Sequence, residues 1–398
     1  MRRASRVAAL AAGLALVAAA PAGASHKHGV DVDTIATGLD NPRHVAVSHH
    51  GDVFVAESGT GDDTGSPKSC FQSAEGNVCT GNTGAVTRID RRGRQQRVVE
   101  GLASFAQPAG EPNPRNNAIG PHGVFVDGDD VYVTNGGPTG PWRNDDDQTI
   151  ILRDPTLVSE DPVSALYGTL LKLKRHGGYR VIADLWRFEN ENNPDAGVGN
   201  PLVDSNPVDV YADHGRFYVA DAGGNSVVRI GRFGGIRALS VFPNITMPNP
   251  FAEPPPAPQT VPMQAVPTGV VKGPDGALYM SQLTGFPFPV GGARVFRIDP
   301  RTGAARVYAR GFTNIVDLDF GRDGTLYVLE MDNDSLLGEK TDGALFAVHR
   351  RGGTPRRLDE EGTLTHPGGL AVGRKGDLYV SNHSAEADVG EVLRIDLD

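Results

Sequence analysis

Asn206-Pro207-Val208-Asp209-Val210, followed after a short turn by Phe217-Tyr218-Val219-Ala220-Asp221, is a pattern that recurs along almost the whole chain. Its second half returns as Val53-Phe54-Val55-Ala56-Glu57, Val131-Tyr132-Val133-Thr134-Asn135, Leu278-Tyr279-Met280-Ser281-Gln282, Leu326-Tyr327-Val328-Leu329-Glu330 and Leu378-Tyr379-Val380-Ser381-Asn382. Each copy reads as two short apolar strands joined by a Gly/Asp turn. Such a unit cannot bury both of its faces alone, so the copies must stack on one another.

Two further strands complete each copy. Ala85-Val86-Thr87-Arg88-Ile89-Asp90 and Arg294-Val295-Phe296-Arg297-Ile298-Asp299 read as third strands; Arg97-Val98-Val99 and Arg306-Val307-Tyr308 read as fourth strands. Six four-stranded units repeated radially make an all-β, six-bladed β-propeller. The last copy stops at its third strand, Val392-Leu393-Arg394-Ile395-Asp396, while Val32-Asp33-Thr34-Ile35-Ala36-Thr37 precedes the first copy and fits the fourth-strand pattern. The N-terminal strand is therefore expected to complete the last blade and close the ring, which removes an open sheet edge. An open solenoid would leave that strand without a partner.

The ends and the composition restrict the setting. Arg2, Arg3 and Arg6 precede the uncharged stretch Val7 to Ala20, and Ala22-Gly23-Ala24 is a small-residue cleavage pattern. Residues 1–24 are thus expected to be a signal peptide cleaved after Ala24, 25–31 a disordered tail and 32–398 the propeller. The apolar stretch is short for a membrane span. Losing the three arginines takes the formal charge from −10 to about −13. An acidic, secreted protein is poorly suited to nucleic acid; a monomer with neither nucleic-acid partner nor membrane span is expected. In an oxidising compartment the two cysteines, Cys70 and Cys79, are expected to form one local disulfide, contributing roughly 2–3 kcal/mol in the chain-entropy model.

Long insertions fall between second and third strands, or between a fourth strand and the next first strand. They are Gly59 to Thr83, Gly136 to Gly168 with Asp145-Asp146-Asp147, Trp186 to Ser205, and the Pro-rich Pro243 to Pro262. Both kinds of connection emerge on the same face, which becomes a loop-rich face suited to a small molecule, a glycan or a protein.

The candidate chemistry lies where first strands begin and second strands end. The second strands end in Glu57, Asn135, Asp221, Gln282, Glu330 and Asn382; the matching first-strand position is His44, Gly123, Asp209, Gly269, Asp317 and Gly369. Carboxylates and histidine fall in odd blades, amides and glycines in even ones. Glu57, Asp221, Glu330, Asp209, Asp317 and His44 are accordingly expected around one axis as candidate metal ligands. Asn135, Gln282, Asn382, His122 and Arg43 would line the channel beside them. Gathered carboxylates need a proton, a cation or water, and oxygen donors suit Ca²⁺. A channel that is polar only because it holds water remains the alternative. No G-x-S-x-G elbow or phosphate loop is present.

These residues resemble the ScyD/ScyE family of secreted propellers, relatives of NHL-repeat proteins, over nearly all of 32–398. The resemblance is carried by the Cys70 to Cys79 loop with Gly81-Asn82-Thr83-Gly84-Ala85-Val86-Thr87-Arg88, by Tyr218-Val219-Ala220-Asp221-Ala222-Gly223, by Leu283-Thr284-Gly285-Phe286-Pro287-Phe288-Pro289-Val290 and by Gly311-Phe312-Thr313-Asn314-Ile315-Val316-Asp317. It implies a secreted propeller and no assigned catalytic set. A looser similarity to gluconolactonase-like hydrolases, streptogramin lyase and soluble sugar dehydrogenases implies, for the first of these, an axial divalent metal held by carboxylate and amide oxygens. A binding scaffold is the leading expectation. A Ca²⁺-dependent hydrolase or lyase with Asp209, Asp317 or His44 as base is the alternative, and a quinone enzyme ranks last.

Overall fold

The computed structural model describes residues 30–61, 70–73, 76–107, 117–137, 141–143, 149–151, 165–254, 258–338, 340–349 and 353–397. The signal-peptide expectation and Asp145-Asp146-Asp147 lie outside them.

The chain folds as a six-bladed β-propeller, 53% strand and 4% helix. The strands nearest the axis are Pro42–Val47, Pro121–Asp127, Pro207–Asp213, Pro267–Lys272, Ile315–Phe320 and Gly369–Val372. Each pairs antiparallel with a second strand, and third and fourth strands follow outwards. The strand Asp31–Leu39 pairs antiparallel with Gly390–Asp396, so the first described strand completes the last blade. Second strands are buried along nearly their whole length, as Leu278–Gln282 shows. The apolar core lies between blades: Val208, Tyr218 and Val227 of blade three pack with Val270, Leu278 and Met280 of blade four.

The turns between first and second strands stay short. Gly51, Gly276, Gly324 and Gly376 occupy them at φ between 84° and 103° or at 79°, a left-handed conformation that glycine adopts without steric cost. On the opposite face the insertions are more ordered than loops. The third strand of blade one runs over Gly76–Ile89 and its fourth over Gln95–Ala106, so part of the first insertion is a sheet extension. Cys70–Ser73 joins it, with Cys70 opposite Cys79 and the disulfide formed. Pro141–Arg143 from blade two adds to the same sheet. The Pro-rich insertion is a two-stranded ribbon, Ile245–Pro248 against Thr260–Met263. The third insertion forms a helix over Leu185–Asn192.

Candidate functional site

One irregularity, repeated in five blades, aims the axial residues. The pairing of first and second strands skips one residue at Pro42/Val45, Pro121/Val124, Pro207/Asp209, Pro267/Gly269 and Ile315/Asp317. A β-bulge adds a residue to one strand and re-aims the side chains beside it. Here the bulges accompany His44, Asp209 and Asp317, which meet at the axis.

These three residues are buried, and one ligand atom from each lies within 4.8 Å of the others. His44 Nδ1 stands 3.2 Å from Asp209 Oδ1 and 3.6 Å from Asp317 Oδ2. Each carboxylate also accepts two backbone N–H bonds. Asp209 takes those of Val210 and Val270, both at 2.7 Å. Asp317 takes those of Leu318 and Leu370, both at 2.7 Å. The second bond of each pair crosses to the next blade, so each aspartate ties an odd blade to the even blade that follows. The glycines supply the complementary approach. A Cβ on Gly123 would lie 2.6 Å from Asp209 Cα, and one on Gly369 would lie 2.4 Å from His44 Cα.

The protonation state follows from this packing. Burial alone would depress the His44 pKa, but the Asp317 and Asp209 carboxylates outweigh it and hold it up at about 9. Burial, with the Asp209 charge, pushes Asp317 up to about 7 against the opposing pull of His44. The trio therefore carries its own cation as the imidazolium. The trio itself and Asp319 help to line a cavity of about 150 Å³ in the channel. Asp319 is a residue that the pattern of second-strand ends did not single out; burial raises its pKa to about 6. Its position two residues beyond Asp317 on one strand face was the available signal.

Arg43 and His122 occupy the extra residue of their bulges, towards the loop-rich face. Arg43 is buried. It donates to Ser58 Oγ at 3.3 Å, to Asn117 Oδ1 at 2.7 Å and to the Ala118 carbonyl. None of these acceptors is charged, and burial lowers its pKa to about 10. The His122 ring meets His44 edge-on at 5.4 Å. Burial and the neighbouring Arg43 and His44 charges push His122 well below the usual range, so it stays neutral.

The six residues expected around one axis thus divide into two sets. Glu57, Asp221 and Glu330 do not join the axial trio. Glu57 accepts from Asp40 N at 2.9 Å and from Thr87 Oγ1, and pairs with Arg97 of the outermost strand at 2.8 Å. Asp221 accepts from Ser205 Oγ at 2.7 Å, Asn206 N at 2.7 Å and Gly224 N at 3.1 Å. Glu330 accepts from Thr313 N at 2.7 Å. The amides do similar work. Asn135 donates to Ala103 O at 3.2 Å and Asn382 accepts from Thr365 N at 2.8 Å, while Gln282 is buried. The physical reason is position. A second strand sits one strand-spacing out from the axis, and its side chains point to the faces of the blade. Its terminal polar residue therefore caps the chain connections between blades.

No protein-family model matches the chain, and no curated protein matches it. Solved structures superpose on the chain at low identity. A protein of unknown function from Bacteroides thetaiotaomicron superposes with TM-score 0.50 at 12% identity, over 92% of this chain and 76% of that one. A glucose dehydrogenase gives 0.49 at 13% identity, covering 92% and 100%. A catalytically inactive virginiamycin B lyase from Staphylococcus aureus, with quinupristin, gives 0.47 at 14%, covering 93% and 100%. At such identities the likeness concerns the propeller architecture alone.

Proposed function

We propose that this chain is a secreted binding propeller, of the ScyD/ScyE type, that holds an anionic small molecule or glycan on its loop-rich face. The observation that carries this reading is Arg43. A buried guanidinium next to His44 in the chain has only neutral acceptors among the described residues, and His122 beside it is neutral. A buried cation without a counter-charge favours a bound anion. The organised insertions around the same face support the reading, since a rigid rim reduces the ordering cost of binding. The axial trio acts as a closed buttress between blades, because its carboxylates are satisfied by His44 and four backbone N–H groups. The disulfide and the absence of a long apolar helix among the described residues are compatible with secretion.

Calorimetric titration with matched anionic and neutral sugars tests this. Binding of a uronic-acid or sulfated ligand, lost in Arg43→Gln while the circular dichroism spectrum is kept, is the expected result. Equal binding of neutral partners, or no effect of Arg43→Gln, would refute it.

A second reading is favoured by the closeness of His44, Asp209 and Asp317. If Ca²⁺ displaced the His44 proton, these donors would hold a metal able to polarise a lactone carbonyl, as in a hydrolase or lyase. Three buried donors, two of them occupied by backbone N–H groups, are few for Ca²⁺, which takes six to eight oxygens. Turnover of lactones abolished by Asp209→Asn would establish this reading instead.

A further inference from the structure

Removing Asp221 from the axis places it in a second group of buried acids on blade three. The helix Leu185–Asn192 begins at Asp184, whose side chain accepts from Arg187 N, and ends at Asn193 in the left-handed conformation. Leu185 and Glu189 are its buried residues; four apart, they share one face. That face brings Glu189, 1% exposed, against the turn after the second strand of blade three. Its Oε2 is 3.0 Å from where a Cβ on Gly224 would stand, and Asp221 Cγ is 3.5 Å from the same point. Asp195, 0% exposed, follows on the connector. One of its oxygens accepts from Asn200 Nδ2 at 2.8 Å and Asn225 Nδ2 at 3.0 Å.

Among the described residues, two oxygens in this group have no partner. Glu189 Oε1 and Asp195 Oδ1 are both buried without a hydrogen bond. The charged groups that act on Glu189 are Asp221, Asp195 and Asp204, all of them acids. Arg187, on the same helix, is turned outwards to Glu191 at 2.8 Å. Buried, unpaired carboxylate oxygens are costly, and a bound cation is one way in which proteins meet that cost.

We propose that the orphaned oxygens of Glu189 and Asp195, on and just beyond the Leu185–Asn192 helix, bind a Ca²⁺ ion. The donors are oxygens alone, which disfavours zinc. Ca²⁺ accepts irregular oxygen cages and completes them with carbonyls and water. Asp221, already satisfied by three donors, belongs to the outer layer and adds negative potential. Two direct carboxylates place the affinity among weak extracellular sites, with half-saturation at about 0.1–1 mM. The ion would pin the helix to the blade-three turn and stiffen one side of the loop-rich face. This site shares no residue with the His44 trio.

Terbium luminescence tests the proposal directly. Trp186, one of two tryptophans, lies three residues from Glu189 and would sensitise a Tb³⁺ ion bound there. The mature protein is titrated with Tb³⁺, then with Ca²⁺ as competitor, and melted with and without 10 mM CaCl₂. Sensitised emission displaced by Ca²⁺, and a melting temperature raised by about 2 °C, are expected. Both should be lost in Asp195→Asn and Glu189→Gln and kept in Asp209→Asn/Asp317→Asn. Glu189→Gln imitates the protonated acid, so its fold should survive even if Asp195→Asn fails to fold. No Ca²⁺ response in the parent, a response unchanged by Glu189→Gln, or a response abolished only by the axial pair would each overturn the proposal.

Discussion

Raising the pH through 9 should loosen the ring at its axis. Free histidine titrates near 6.5, and His44 is held up at about 9 by Asp317 and Asp209 against burial. The folded state therefore keeps this proton where the unfolded chain has lost it. Stability from the His44 cation is fully present below about pH 6.5 and falls away as pH rises through about 9. Holding the proton from about 6.5 up to about 9 corresponds to about 3 kcal/mol at the upper bound. For a chain of this length, unfolding entropy near 0.8 kcal/mol/K turns that into a fall of about 4 °C in melting temperature.

The assay compares the parent with His44→Gln from pH 6 to 9.5, alongside ¹³Cε1 histidine NMR of the parent. Glutamine keeps hydrogen-bonding capacity but carries no charge. The variant should melt about 4 °C lower at pH 6 and converge on the parent by pH 9.5. A gap that stays constant with pH would refute the reasoning, as would a His44 resonance titrating at or below 6.5.

Other consequences rest on the seams and caps. Glu330 is pushed up to about 8 by burial, against the Thr313 N–H and Arg357; its folded form binds the extra proton, so stability falls as pH rises from about 4.5 towards 8. Glu330→Gln should be close to neutral at about pH 4.5 and melt increasingly above the parent as pH rises to about 9; a variant less stable than the parent at pH 9 would count against it. Gly369→Ala places a Cβ 2.4 Å from His44 Cα and 2.9 Å from Arg43 O, an overpacking cost of about 1–3 kcal/mol by urea denaturation. Gly235→Ala, where a Cβ meets nothing within 4 Å, is the control and should lie within about 0.5 kcal/mol of the parent. Glu57→Ala leaves the Asp40 N–H and the Thr87 hydroxyl without their acceptor, while the partly exposed Arg97 keeps its pair with Asp40; it should cost about 1–3 kcal/mol by the same measurement, and a loss below about 1 kcal/mol would mean that water replaces Glu57 at these donors.

The fold was legible because its signals are local and repeated. A first strand, a Gly/Asp turn and a second strand ending in a polar residue set the blade number, and the lone N-terminal strand set the closure. Part of the site was legible for the same reason: His44, Asp209 and Asp317 hold one position in three alternate blades. What misled was the other ring of acids. Glu57, Asp221 and Glu330 lie one strand further out, and sequence alignment of blades carries no radial coordinate. Glu189 and Asp195 lie in an insertion that breaks the repeat, so no comparison between blades could bring them forward. Only the helix, by placing Leu185 and Glu189 on one face, buries that carboxylate.

The axial trio also explains why one of its members is histidine. Odd blades bring a polar side chain to the axis, and even blades bring glycine, which lets the backbones meet. Three aspartates would satisfy that alternation and complete a threefold pattern, yet three buried carboxylates within 4.8 Å cannot all ionise without a counter-charge. His44 breaks the symmetry and supplies the charge from within. His44→Asp should therefore trade an internal cation for an external one. In the Glu189→Gln background, which removes the blade-three site, this variant should melt well below its parent in EDTA and recover with millimolar Ca²⁺. Equal melting with and without the ion would mean that protons alone neutralise the three acids, and that the imidazolium matters for its shape more than for its charge.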